Sequence, residues 1–204
     1  MKINKVTLVA VLFAYCFINP AFVLSQLTAS NSNYWPVFRD DKTGFRISYP
    51  PSWIVTTPKG KNVKFSVNPP GGPGNCNVVA YRNTEISNEN QANLNQLIES
   101  LPQDGASWAD YVSLPVSQVR VISTGTARII DIPALLGVVE INLENIEGKY
   151  MRKQKIVLTF TPGLVWSLNC GATSFNINEV RDRFDALESN FNKIFSSFVF
   201  TFQH

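Results

Sequence analysis

Leu164-Val165-Trp166-Ser167-Leu168-Asn169-Cys170-Gly171-Ala172 alternates bulky apolar residues with small or polar ones. Successive residues of a strand point to opposite faces, so Leu164, Trp166, Leu168, Cys170 and Ala172 share one face and Ser167 and Asn169 share the other. The first face is expected to be core, with Cys170 pointing inward. The strand is entered through Thr161-Pro162-Gly163, a turn sequence, so it pairs with the β-rich run before it. That run (149–160) follows another turn, Asn145-Ile146-Glu147-Gly148, and two further β-rich runs at 119–130 and 135–143. The second half of the chain therefore reads as an antiparallel meander.

Upstream, Phe45, Ile47 and Tyr49 alternate with Arg46 and Ser48 between the turn residues 40–44 and Pro50-Pro51, with Trp53, Ile54 and Val55 expected to continue this strand. Residues 64–67 and 76–81 read as strands flanking an irregular Pro- and Gly-rich loop, 68–75. Leu94, Leu97, Ile98 and Leu101 step at helical spacing within 88–101, with Ser87 or Asn88 as cap and Pro102 as stop, and 108–111 adds a short turn. The clearest helix carries Ile177, Val180, Phe184, Leu187, Phe191 and Ile194 on one stripe. Asn176 and Glu179 read as its capping box, and Phe198, Phe200 and Phe202 as a final strand after Ser196-Ser197. The expected class is α+β: an antiparallel sheet of about six to seven strands flanked by helices.

The first 25 residues read as a secretory signal. Lys2 and Lys5 precede an apolar run from 6 to 18 that is too short for a spanning helix and is broken by Asn19-Pro20, with cleavage expected after Ser25. Residues 26–33 are expected to be a flexible lead, and 34–204 one domain exported to the periplasm or beyond. Losing Lys2 and Lys5 lowers the formal charge from +3 to +1, which supplies no field for nucleic acid. Two cysteines remain, Cys76 and Cys170. A single disulfide fits an even count in an exported chain, and two buried thiols are the alternative.

The order of motifs resembles the PsbP/Mog1-like family of α/β/α sandwich domains. The matching stretches are Gly44-Phe45-Arg46-Ile47-Ser48-Tyr49-Pro50 with Trp53, then Gly148-Lys149-Tyr150, then 164–172, and last Ile194-Phe195-Ser196-Ser197-Phe198. The resemblance spans nearly all of the chain after the signal. It implies a scaffold of accessory and binding proteins, including extrinsic photosystem II subunits, a nuclear transport factor that binds a small GTPase, and exported bacterial proteins. The chain departs from the photosystem branch in its plain signal and its lone C-terminal histidine, and a shared scaffold carries no activity across.

Residue chemistry points away from catalysis. His204 is the only histidine and the last residue, so Ser-His and Cys-His pairs lack a positioned base. No spacing marks a carboxylate pair, and Asp40-Asp41 reads as a turn, so neither metal nor cofactor is expected. Residues 71–74 lack the Lys and hydroxyl of a phosphate-binding loop. Lys149, Arg152, Lys153 and Lys155 are a candidate interaction patch for an acidic partner, with Lys149, Lys153 and Lys155 on one strand face and Arg152 on the other; a solvated, charge-protected strand is the plainer reading. Trp53 and Trp108 are candidate groove aromatics, against the plainer reading as core. The expected function is an exported, non-catalytic accessory or binding module for an unknown envelope or extracellular protein. A small-ligand carrier or a carboxylate-dependent enzyme with a cleft between sheet and helix is the alternative.

Overall fold

A computed structural model describes residues 34–145 and 148–201. The expected signal (1–25), the lead (26–33), the turn residues Ile146 and Glu147, Phe202 and His204 lie outside the described residues. The chain runs β1 (Val37–Asp40), β2 (Phe45–Ser48), β3 (Ile54–Val55), β4 (Val63–Asn68), β5 (Gly74–Arg82), α1 (Gln91–Ser100), α2 (Gly105–Tyr111), β6 (Val119–Ile129), β7 (Ile132–Asn145), β8 (Gly148–Thr161), β9 (Leu164–Ser174), α3 (Ile177–Ser197) and β10 (Val199–Phe200). The main sheet has seven strands in the order β3-β4-β5-β9-β8-β7-β6, all pairs antiparallel, and a small sheet has the order β1-β2-β10. The expected α+β class and strand number are what the structure has.

One face of the main sheet carries the inward residues of β9, with Trp166, Leu168, Cys170 and Ala172 each at most 1% exposed. They pack against Phe184, Phe191 and Ile194 of α3 and against Phe45 and Ile47 of the small sheet. Burying an apolar side chain of this size contributes about 1.5–3 kcal/mol, so this layer carries much of the folding free energy. At its centre Cys76 and Cys170 face each other across β5 and β9 and form a disulfide, with Cα atoms 4.1 Å apart and a separation of 94 residues. The pairing left open by the sequence is made. A loop that long corresponds to about 4–5 kcal/mol in the chain-entropy model.

The other face carries a second apolar cluster. Leu94 and Ile98 of α1 and Trp108 and Val112 at α2 pack on Leu135, Val139 and Ile141 of β7 and Ile156 and Leu158 of β8. Each helix starts where a side chain receives an unpaired backbone N–H. Asn90 accepts from Asn93, Asp104 from Ser107 and Asn176 from Asn178. The first cap is thus later than the expected Ser87 or Asn88.

Other boundaries also move. Trp53 lies in a turn, and Ile54-Val55 pair with β4 in the main sheet instead of continuing β2, because Pro50-Pro51 ends the small-sheet strand. Residues 108–111 belong to a full helix, α2, started by Asp104. β6 and β7 join through a two-residue turn at Ile130-Asp131, so Ile132 and Pro133 belong to β7. Asn176 caps α3, yet Glu179 accepts from the Ser174 hydroxyl at 2.6 Å, so the expected reciprocal box is replaced by a bond to the end of β9. α3 runs to Ser197, which leaves Val199–Phe200 as the paired part of the last strand, docked on β2.

Ile130 sits at φ 56° and is 61% exposed. A β-branched residue is strained in that region, and the first position of a two-residue hairpin turn with positive φ suits glycine. Ile130→Gly is expected to raise stability by about 1 kcal/mol, read as a higher denaturant midpoint with unchanged slope.

Beneath α3 the charged groups of the sheet are matched. Glu140, 8% exposed, accepts from Arg181 Nε at 2.7 Å and Nη2 at 3.0 Å. Those hydrogen bonds, helped by the charges of Arg181, Arg120 and Lys153 and opposed by burial, hold its carboxyl below the usual carboxylate range. A depressed folded pKa stabilises the fold above the unfolded value of about 4.3, and the contribution disappears as pH falls through the folded value. Glu140→Gln is expected to cost about 2 kcal/mol at neutral pH, with the gap to wild type closing below roughly pH 4. Urea titrations at both pH values check this; a gap independent of pH would contradict it.

Candidate functional site

The second face is covered by α1 and α2 mainly over β6, β7 and β8, with Val165 of β9 joining the same cluster. Beside them the sheet is open, and a groove of about 1030 Å³ runs between α2 and the segment after β3. Its floor changes character across the strands. One cross-sheet row reads Ser66, Asn77, Asn169, Ile156, Gly137 from β4 to β7; the next reads Asn75, Gly171, Gln154, Val139. β4, β5 and β9 thus supply hydroxyls and amides, while β7, the far end of β8 and α2 supply an apolar wall.

The polar side chains form one hydrogen-bonded network. Arg152 Nη2 donates to Asn75 Oδ1 at 2.7 Å, and Arg152 Nε donates to Gln154 Oε1. Gln154 Nε2 donates to Asn169 Oδ1 at 3.1 Å, Ser167 Oγ donates to the same oxygen at 3.0 Å, and Asn169 Nδ2 donates to Asn77 Oδ1 at 3.1 Å. Ser66, Asn75, Ser167 and Asn169 are all buried. Asn and Ser are poor residues for the middle of a strand, and buried polar groups must be paired. A fully bonded network of this kind fixes the rotamers of its members and makes a rigid polar surface.

Two glycines shape the floor. Arg152 reaches from β8 across β9 to Asn75 over Gly171, where a Cβ would stand 3.3 Å from its Nε and 2.6 Å from the Lys153 carbonyl oxygen. On β7, Gly137 lies under the Trp108 ring, and a Cβ there would stand 2.5 Å from Cζ2 and Cη2. Trp108 is fully buried, lines the groove, meets Tyr111 edge to face, and its Nε1 has no hydrogen-bond partner. Burial pushes the Tyr111 hydroxyl up to about 12, so this second wall aromatic stays neutral; the hydroxyl donates to the Pro102 carbonyl at 2.7 Å.

The sequence candidates fall in different places. Trp108 is in the groove wall; Trp53 is on the opposite face, edge to face with Phe191. The four cations do not make one surface. Alternation sends Lys153 and Lys155 under α3, where Lys153 bonds Asp185 at 2.7 Å and Lys155 bonds Glu188 at 3.3 Å and Asn192 at 2.6 Å, each lysine side chain 13% exposed. Lys149 stays exposed beside Glu144, and Arg152 is in the groove floor. The expected patch is therefore corrected: α3 carries the acids that cover its centre. Asp40 accepts from the Thr43 amide and hydroxyl, a turn role, and the described residues hold no cluster of three metal-ligating side chains. Gly72, Pro73 and Gly74 form part of the groove rim.

Ser66, Asn75, Asn77, Ser167 and Asn169 were not singled out by sequence. Polar alternation reports which face a residue takes, and such a face is ordinarily solvated. The available signal was that asparagines and serines occur in several strands that turn out to be neighbours.

No family model matches the chain, and no curated protein matches it. Among solved structures it is similar to cyanobacterial PsbP (CyanoP) from Synechocystis sp. PCC 6803, at 14% identity over 87% of this chain and 98% of that one, TM-score 0.47. It is also similar to LpqN, involved in cell envelope biogenesis of Mycobacterium tuberculosis, at 13% identity over 84% and 87%, TM-score 0.44. A PsbP structure thus stands among those the chain resembles. Likeness at this level carries nothing about activity, which rests on the groove.

Gly137→Ala is expected to cost about 1–3 kcal/mol, since the new methyl group and the Trp108 ring cannot both keep their places. Trp108→Leu in the same background should recover part of the loss. Equal stability of Gly137→Ala and wild type in thermal melts would show that the ring is not held there.

Proposed function

We propose that this protein is an exported binding module that holds a small amphipathic ligand in the groove between α2 and the polar floor of the sheet. The observation that carries the reading is the two-sided floor: a rigid amide and hydroxyl surface beside an apolar wall of Trp108, Val79, Ile141, Ile156 and Leu158. A groove with an apolar lining and a few fixed polar groups is the usual form of a small-ligand site. The Trp108 Nε1 donor adds a group that an occupant's oxygen can satisfy.

Binding fits the residues better than catalysis. The groove's carboxylates, Glu144 and Glu179, lie near Lys149 and Arg183 at 3.8 and 3.6 Å, and both are more than half exposed. Export is supported by the disulfide, which belongs to an oxidising compartment, together with the signal-like first 25 residues. No helix among the described residues is long and apolar enough to cross a membrane.

The test uses N-phenyl-1-naphthylamine, a neutral amphipathic fluorophore. Saturable one-to-one binding is expected, weakened roughly tenfold, or about 1.4 kcal/mol, by Leu114→Trp and by Leu143→Trp, which narrow the groove from half-buried positions. No saturable binding, or equal affinity in wild type and both variants, would remove the groove as the site.

A further inference from the structure

We infer that the groove selects an uncharged amphiphile with a carbonyl head, an ester or a fully substituted amide, whose oxygen is taken by the side-chain N–H of Asn77, with Asn75 as a second donor and the alkyl chain along Val79, Ile156 and Leu158. The inference rests on the groove being the binding site and adds the chemistry of the occupant's head.

Arg152 sets the direction of the amide network. A guanidinium has donors and no acceptor, so an amide bonded to it must turn its oxygen that way, and this settles oxygen and nitrogen all along each chain of amides. In one chain Arg152 Nε donates to Gln154 Oε1, Gln154 Nε2 to Asn169 Oδ1, and Asn169 Nδ2 to Asn77 Oδ1. In the other, Arg152 Nη2 donates to Asn75 Oδ1. The direction holds whatever else Arg152 touches, because it can offer any further partner only N–H groups. Both chains therefore end on an amide whose oxygen is taken and whose nitrogen is left over. Among the described residues Asn75 Nδ2 and Asn77 Nδ2 have no acceptor, and both residues line the groove. A third group has the same sign, since Trp108 Nε1 is a buried donor without a partner. Hydroxyls beside them, such as Ser66 opposite Asn77, can serve either way. An occupant is thus matched by acceptor oxygens. These three donors are uncharged and suit a carbonyl, whereas an ionised head costs far more to take out of water.

Two strands give the direction of the chain. On the groove face β5 reads Asn75, Asn77, Val79, and β8 reads Gln154, Ile156, Leu158 in the same direction, since both are antiparallel to β9 between them. Polar gives way to apolar along both. Asn77 shares its cross-sheet row with Ile156 and Gly137, where Trp108 overhangs the floor, so it is the donor nearest the wall. Asn75 lies two residues behind it, about 7 Å away, within reach of a second oxygen of the same head. A carbonyl held at Asn77 leaves its alkyl chain on Val79, Ile156 and Leu158.

The test exchanges the donor for an acceptor of the same shape. Asn77→Asp keeps the oxygen that receives Asn169 and puts a second oxygen where the nitrogen was. Three probes share a ten-carbon chain: N,N-dimethyldecanamide has a carbonyl and no donor, 1-decanol has a hydroxyl that can donate, and decanoate is charged. Each is titrated against N-phenyl-1-naphthylamine bound to the protein. Asn77→Asp is expected to weaken dimethyldecanamide roughly tenfold, while 1-decanol, which can turn its proton to the new oxygen, and the fluorophore stay within about twofold. Asn77→Ser, which removes the nitrogen, should also weaken the amide and replaces the Asp variant if melting curves show that one unfolded. An amide affinity unchanged in both variants, or one that falls in step with 1-decanol, would overturn the carbonyl head. Decanoate binding the wild-type protein more tightly than dimethyldecanamide would overturn it in favour of an anionic head. Failure of the amide to displace a bound fluorophore would overturn it as well, whereas absence of saturable fluorophore binding would remove the groove reading itself, so the two failures are distinct.

Discussion

The antiparallel pairing of β5 with β9 is the join on which the rest depends. The strand order makes two meanders, β3-β4-β5 and β9-β8-β7-β6, and within the main sheet they touch only along this pair. Its partners are distant in sequence, so closing it costs loop entropy that local hairpins do not pay. The Cys76–Cys170 disulfide lies within that pairing. It fixes register as well as proximity. A slip of β5 by one residue would turn Cys76 and Val78 out of the core and drive Asn77 into it. The same bond that holds the halves together therefore sets which side chains make the groove floor.

That register explains how the two faces of one sheet differ. On the α3 side, apolar residues of β5 and β9 meet the helix stripe, and the charges of β7 and β8 meet acids and a base that the helix supplies. On the groove side Val165 of β9 and Tyr81 of β5 join the α1 cluster at one end, and the rest of that face of the two strands is largely polar. The positions there carry Asn75, Asn77, Ser167 and Asn169, satisfied by one another and by Gln154 and Arg152. Valines in those places would expose an apolar patch beside the wall of α2 and invite association. The amides keep the surface polar and still rigid.

Much of this was legible in the sequence and some was not, for a definite physical reason. Alternation in 164–172 placed Cys170 and Trp166 inward, and the stripe from Ile177 to Ile194 gave α3, because periodicity reports orientation about an element's own axis. It does not report what lies opposite. Alternation puts Lys153 and Lys155 on one face but does not show that this face is covered, since the acids that cover it come from a helix some 30 residues later. Alternation also gives the face of Ser167 and Asn169 but not their network, since their neighbours across the sheet, Asn77 and Gln154, join them only once the register is known. Trp53 and Trp108 looked alike in sequence and went to opposite layers.

The groove face also carries a cost in stability. Buried amides and hydroxyls contribute little net stability even when bonded. A sheet selected for stability alone would fill these positions. Instead the stabilising features sit on the far side: the disulfide, the aromatic layer under α3 and the Glu140–Arg181 pair. The stable layer holds the open layer in shape, so the amide floor and Arg152 are set before any occupant arrives. Preorganisation of that kind lowers the ordering cost of binding, and it is the physical reason for a polar floor built on sheet strands rather than on loops.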